Sequence, residues 1–322
     1  MCLPTGVTTL KKLNIDMRFR MAENLIDAYQ AVCKLCPGLV SLCIEEGESV
    51  PFAKMILVMF GFEEEDVSRR RCGQWLRHLT LTGIHYIPHN ILGEVFRLCP
   101  KLESLVLDDF YTFDGVPLPS SGDASSRESK SGRGLVNLTV SNSLLSDKFF
   151  DSLRRSFSAT TLKVLHLDFC RQQTSDGWLK MGQIFAHGQL EYLSLKNSVK
   201  DVDFEQFFNR GINNLRYLDL SLNGLLSDQA VGSMLRCLPV LEGLSLMGCE
   251  SVTNLLPYLW FLHGPFANQF DSQLVVRRER HAPLRLDVSG TRMSQQPKRK
   301  NFAWTFNFDI KKLISIKQFL YR

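Results

Sequence analysis

At 322 residues the chain exceeds one ordinary compact domain, so two domains or a repeat array are the leading architectures. A hydrophobic fraction of 44% suits a folded globular protein, and a net charge of +5 is too mild to imply nucleic-acid binding. Nine cysteines, an odd number scattered from Cys2 to Cys249, fit reduced buried thiols better than a disulfide framework.

Along the chain one pattern, L-x-x-L-x-L, recurs. It begins at Leu10, Leu13 and Ile15, then Leu39, Leu42 and Ile44. Leu76, Leu79 and Leu81 follow, then Leu102, Leu105 and Leu107, and Leu135, Leu138 and Val140. Leu162, Leu165, Leu167 and Cys170 lead to Leu190, Leu193 and Leu195. The fullest copy is Leu215, Leu218, Leu220, Asn223 and Leu225, followed by Leu241, Leu244, Leu246 and Cys249. The last, Leu286 and Val288, has Pro283 in place of the opening leucine. From Leu135 to Leu241 the copies are 27, 28, 25 and 26 residues apart, inside the ~20–29 of leucine-rich repeats.

About ten copies predict an α/β leucine-rich-repeat solenoid over residues 1–291, a horseshoe with parallel strands on its concave face and helices on its convex face. In x-L-x-L the leucines point into the core and the intervening residues to solvent. The Asn or Cys three residues after the last strand leucine occupies the turn into the return segment. Return helices are expected over 22–36, after Ser146-Asp147 (with Phe149, Phe150, Leu153 and Phe157), and over 226–239. In the last, Ser227 or Asp228 caps and Ala230, Val231, Met234, Leu235 and Leu238 repeat at helical spacing.

Three stretches interrupt the period. Residues 61–74 run from acidic to basic and read as an exposed loop, and 111–134, rich in Ser, Gly and charge, as a disordered insertion. Residues 257–282 are longer than one repeat requires. Residues 292–322 combine a basic PKRK with Phe302, Trp304, Phe306 and Phe308 at period two, which reads as a C-terminal capping strand and helix or a basic tail.

Little chemistry is expected. Cys33 and Cys36 have redox or zinc spacing without a second pair, His85 and His89 lack a matching carboxylate, and Asn137-Leu-Thr139 is a glycosylation acceptor on a core strand. No phosphate loop, nucleophile elbow or paired-carboxylate motif is present, so no catalytic residue, metal or cofactor is assigned. The opening residues lack a secretory h-region, and no apolar run approaches the ~20 residues of a membrane helix. The sequence therefore predicts a soluble protein of the cytoplasm or nucleus.

Function is expected on the outward strand positions, a platform about 43 Å long at ~4.8 Å per strand. Its middle carries Asp108, Asp109, His166, Asp168, Phe169, Tyr192, Lys196, Tyr217 and Asp219. Tyrosines flanked by charge have the composition of a binding hot spot, and the acidic bias favours a basic segment of a partner protein over nucleic acid or membrane.

The junctions LCPGLVSLCI (35–44), LCPKLESLVL (98–107) and CLPVLEGLSLMGC (237–249), with the helix starts TSDGWL (174–179) and LSDQAV (226–231), resemble the cysteine-containing repeats of F-box/leucine-rich-repeat proteins. The resemblance covers about residues 10–291. It implies a substrate-recognition subunit of a Skp–cullin–F-box ubiquitin ligase, holding its target on the concave face. Skp adaptor and cullin would be partners if a longer form supplies an F-box, because here the first repeat begins at Leu10. The alternative is a ligase-independent binding scaffold or inhibitor on the same solenoid.

Overall fold

The repeat alternation becomes one sheet. In the computed structural model the described residues are 10–16, 36, 38–45, 73–83, 86–88, 95–96, 98–109, 112–115, 134–145, 149–150, 153, 161–170, 174–186, 188–199, 208, 212, 214–238, 240–253 and 285–287. The strands are β1 (Lys12–Asp16), β2 (Ser41–Glu45), β3 (His78–Thr82), β4 (Tyr86–Pro88), β5 (Ser104–Asp108) and β6 (Thr112–Gly115). Then come β7 (Asn137–Ser141), β8 (Val164–Asp168), β9 (Tyr192–Ser194), β10 (Tyr217–Asp219), β11 (Gly243–Ser245) and β12 (Arg285–Asp287). Ten of them, β1-β2-β3-β5-β7-β8-β9-β10-β11-β12, form one sheet, one strand for each copy of the pattern.

All nine pairings in this sheet are parallel and in register. The middle leucine of each copy therefore lines up across the sheet, from Leu13 and Leu42 at one end to Leu244 and Leu286 at the other. In β2, β5, β7 and β8 the burial alternates strictly, with the leucine-type residues inside. Each buried leucine contributes roughly 1.5–3 kcal/mol of transfer free energy, so the repeated row is the main stabilising term.

The described helices are α1 (Ser175–Phe185) and α2 (Asp228–Cys237). Thr174 caps α1, its hydroxyl accepting from Gly177 N at 3.3 Å, and Ser227 caps α2, accepting from Ala230 N at 3.2 Å. α1 buries Trp178, Met181 and Phe185, and α2 buries Val231, Met234 and Leu235, in the same cluster as the inward leucines. Both helices thus cover the sheet face opposite the outward residues. Phe149, Phe150 and Leu153, expected on a return helix, are helical and buried there too. The carboxylate of Asp228 reaches the next repeat, accepting from Thr253 N at 2.9 Å and from its hydroxyl at 2.6 Å.

The stack is also tied along its surface. At three junctions the residue after the opening leucine pairs with its counterpart in the next repeat: Arg77 with Glu103 at 2.7 Å, Lys163 with Glu191 at 3.1 Å, and Arg216 with Glu242 at 2.6 Å. Such exposed pairs are worth only ~0.2–1 kcal/mol each and favour correct register more than stability.

Three expectations change. Leu225 was placed in the repeat pattern, but it is 76% exposed and Leu226 is buried instead. The cause is a turn in which Leu226 N donates to Asn223 O at 3.1 Å, matched by Val252 N to Cys249 O at 3.1 Å. It brings the third residue after the Asn or Cys to the core, not the second.

Thr112–Gly115, read as part of the insertion, form β6, which pairs in parallel with β4 in a second, two-stranded sheet. Tyr86 and Thr112 each stand three residues past equivalent corners, Gly83 and Asp109, so repeat stacking itself brings the two segments together. Gly73, read as part of an exposed loop, is buried. A Cβ there would collide with the Leu98 carbonyl oxygen, so the chain passes too close for any side chain.

Cys36 lies in the core and the side-chain oxygen of Asn137 is enclosed in mid-sheet. The helix expected over 22–36, apart from Cys36, lies outside the described residues, as do Cys33, His85, His89, the remaining interruptions over 61–72, 116–133 and 257–282, and the segment 292–322.

Candidate protein-binding face

The outward side of the sheet ends at a repeated corner. In seven repeats the residue two past the last inward strand position has a left-handed backbone: Gly83, Asp109, Asn142, Phe169, Asn197, Leu222 and Gly248. The corner lets the chain leave the strand while its N–H still reaches the next repeat. Six of these amides, from Gly83 N to Asp108 O through Leu222 N to Met247 O, donate over 2.7–3.0 Å. Gly, Asn and Asp visit this region readily, whereas Phe and Leu are held there at a cost of about 1–2 kcal/mol each.

One residue further on, a buried rung binds the repeat before it. Cys170 Sγ donates to Val140 O at 3.3 Å, and Ser198 Oγ contacts Leu167 O and Lys196 O. Asn223 Nδ2 donates to Leu195 O at 2.9 Å and Leu220 O at 2.7 Å. Cys249 Sγ donates to Leu220 O at 3.1 Å. The expected turn role of Asn223, Cys170 and Cys249 is therefore a bonded one. Ser143 and Ser198 occupy the same position and were not singled out, although their offset of three from Val140 and Leu195 is readable in the sequence. Burial pushes the Cys249 thiol up to about 11 and raises that of Cys170 further, so both stay protonated in the folded chain.

Across β8 to β11 the outward polar groups bind one another. Ser194 Oγ and Lys196 N (3.0 Å) both donate to Asp168 Oδ1, and His166 Nδ1 lies 3.6 Å from Asp168 Oδ2. Burial works to raise the Asp168 pKa, but contact with His166, Ser194 and Lys196 outweighs it and holds the carboxylate below its ordinary value. Lys196 Nζ continues the run to Asp219 Oδ2 at 3.1 Å, and Ser221, also bonded to Asp219, meets Ser245 at 2.9 Å. Asp108 Oδ1 likewise accepts from Ser141 Oγ at 2.7 Å and Asn142 Nδ2 at 2.8 Å.

The nine expected site residues therefore share one face, on β5, β8, β9, β10 and the adjoining corners, but they are not equally available. Tyr192 was expected to be solvent-facing and is only 8% exposed. Its ring lies 4.9 Å from that of His166, the diagonal neighbour across the β8–β9 pairing, a position within reach of long flat side chains. Ser194 and Ser221, also outward, are buried within the hydrogen-bonded run.

Tyr217 is fixed differently. Its hydroxyl donates to Glu242 Oε2 at 3.0 Å, and its ring lies over Gly243, where a Cβ would come within 2.9 Å of Tyr217 Cδ1. The expected acidic character is muted, since Asp108, Asp168 and Asp219 already accept hydrogen bonds within the chain.

Ser194, His166 and Asp168 are the residue types of a hydrolytic triad, but they connect in the wrong order. The serine hydroxyl donates to the carboxylate, and Ser194 is fully buried. Among the described residues no His, Cys, Asp and Glu group is arranged to hold a metal, and no helix is long and apolar enough to cross a membrane.

The in-register parallel sheet, the inward leucines and the bonded turn rungs define a leucine-rich-repeat solenoid. No family model matches the chain, and no curated protein does. Among solved structures it is similar to a chain in a crystal structure of a TLR13–ssRNA13 complex, with 17% identity and a TM-score of 0.43 over 80% of this chain. The match spans 33% of that longer chain. It is also similar to a chain in a crystal structure of a Rad7 and Elc1 complex in yeast, with 15% identity and a TM-score of 0.27 over 76% of this chain and 78% of that one.

Proposed function

We propose that the chain is a non-catalytic binding solenoid that holds a target protein on its outward strand face. The contact residues are Asp108, Asp109, His166, Asp168, Phe169, Lys196, Tyr217 and Asp219, with Tyr192 as the support beneath His166. The observation that carries this reading is the preorganisation of the face. Tyr217 is pinned across Gly243, and a continuous hydrogen-bonded run fixes the polar side chains from Asp168 to Ser245. Such a surface loses little conformational entropy when a partner docks. In this reading residues 1–291 are the solenoid and 292–322 a C-terminal cap or a basic tail.

The test is a quantitative pull-down from cells comparing the wild-type chain with Tyr217→Ala, Asp109→Ala. Partners recovered by the wild type and depleted with the variant support the face as the site. An unchanged partner set refutes it.

The cysteine-bearing repeat pattern favours a finer reading, in which the chain is the target-recognition subunit of a Skp–cullin–F-box ligase. Recovery of Skp adaptor and cullin with an F-box-bearing longer form would support it. Recovery of neither would leave a ligase-independent scaffold.

A further inference from the structure

The edge where the strands end is divided in two. At the last outward positions and corners, the repeats of β1 to β8 carry Asp16, Glu45, Asp108, Asp109 and Asp168. From the β8 corner onward the edge exposes large apolar side chains, Phe169 at 38%, Leu222 at 42% and Met247 at 43%, with Lys196 and Asn197 between the first two. Along the described edge the cation is Lys196, and its ammonium is engaged by Asp219.

A second observation marks these positions. Five of the seven left-handed corners carry Gly, Asn or Asp, and the two that do not, Phe169 and Leu222, are both here and both exposed. Backbone strain is thus held at two positions whose side chains stand outside the buried core.

We propose that this edge binds an amphipathic segment of a partner protein, with large apolar side chains at one end and Lys or Arg at the other. The apolar end sits on Phe169, Leu222 and Met247, and the cations lie toward Asp109 and Asp108, whose hydrogen-bond donors are neutral and leave the charge in place. From Phe169 to Met247 is three strand spacings, roughly 14 Å, which two to three turns of a helix would cover. The inference rests on the reading of the outward face as a protein-binding surface, and it specifies the chemistry of what binds.

The probe is a random-peptide phage library selected on the full chain, with affinities of selected peptides measured by fluorescence anisotropy. The informative variant is Phe169→Asn, Leu222→Asn, because Asn already occupies the equivalent corners at 142 and 197. Peptides joining basic and apolar residues should be enriched. Their affinity should fall at least ~10-fold in the double variant, and weaken with salt, while its melting temperature is unchanged or higher. Should that variant not fold, Phe169→Gly, Leu222→Gly tests the same loss.

If the selected peptides lose affinity with Tyr217→Ala but bind the corner variant as tightly as wild type, the inference fails and the broader reading stands. If neither variant alters binding, or if nothing is enriched on wild type over the corner variant and Tyr217→Ala, both fail.

Discussion

Asn223 accepts the backbone N–H of Ser198 at 3.1 Å, so a side chain in one repeat completes the main chain of the repeat before it. The same oxygen takes Val199 N at 2.9 Å, while its amide donates to Leu195 O and Leu220 O. Replacing it by Ala would strand these groups in a dry site. Asn223→Ala should therefore cost ~2–4 kcal/mol by urea denaturation. Asn223→Cys, which copies the rung at 170 and 249, should cost about half as much. Equal midpoints for wild type and the Ala variant would refute the rung as a stabilising element.

The inward row gives a sharper contrast. Leu218→Asp would bury a charge without a partner and should abolish cooperative folding or lower stability by more than ~4 kcal/mol. Leu225→Asp, at an exposed position in the same repeat, should stay within about 0.5 kcal/mol of wild type. Thermal melts of the two variants decide between the observed packing and the one in which Leu225 is a core leucine.

Glycine gives a matched pair. Gly73→Ala would drive a methyl group into Leu98 O and should destabilise by roughly 1–3 kcal/mol, whereas Gly224, with nothing within 4 Å of a Cβ, should accept Ala almost neutrally. Chemical denaturation of both variants under one set of conditions is the check.

Asp168 should leave a signature in acid. Its pKa lies lower in the folded chain than the ordinary 3.8, so between the two values the unfolded chain binds more protons. The contribution is complete above the unfolded value and is lost as pH falls through the folded one. Urea midpoints measured downward from about pH 5 should fall less steeply for Asp168→Asn than for wild type. Parallel profiles would show that the carboxylate is not held by its neighbours.

The thiols offer a direct chemical test. Cys170 and Cys249 are enclosed and kept protonated, so pulsed alkylation at neutral pH should label them only after denaturant is added. Labelling in the native protein at the rate of the unfolded chain would contradict the buried rungs.

The strands were legible because a leucine at every second position has no other compact solution than a half-buried strand. Repetition of that unit then fixes which strand pairs with which. The corners were legible only in part. Gly83, Asp109, Asn142, Asn197 and Gly248 carry residue types that favour a left-handed backbone, whereas Phe169 and Leu222 hold the same conformation against their propensity and give no sign of it in the sequence.

Alternation placed Tyr192 on the correct face but could not show that His166 of the neighbouring strand would cover it. The same limit applies to charge. Asp168 and Asp219 read as an acidic patch until Ser194, Lys196 and Ser221, supplied by stacking and by local turns, are seen to bind them.

The rungs also have a mechanical consequence. Asn223 joins the β9 and β10 repeats through two accepted amides and a donated hydrogen bond, while Cys170 and Cys249 join their neighbours through weak thiol donors. The joints between successive repeats are therefore unequally stiff. Under tension along the stack, extension should begin beside the cysteine rung at β7–β8, because the β10–β11 joint is reinforced by Arg216–Glu242 and by Asp228–Thr253, and the segment around β9 and β10 should move as a single rigid block.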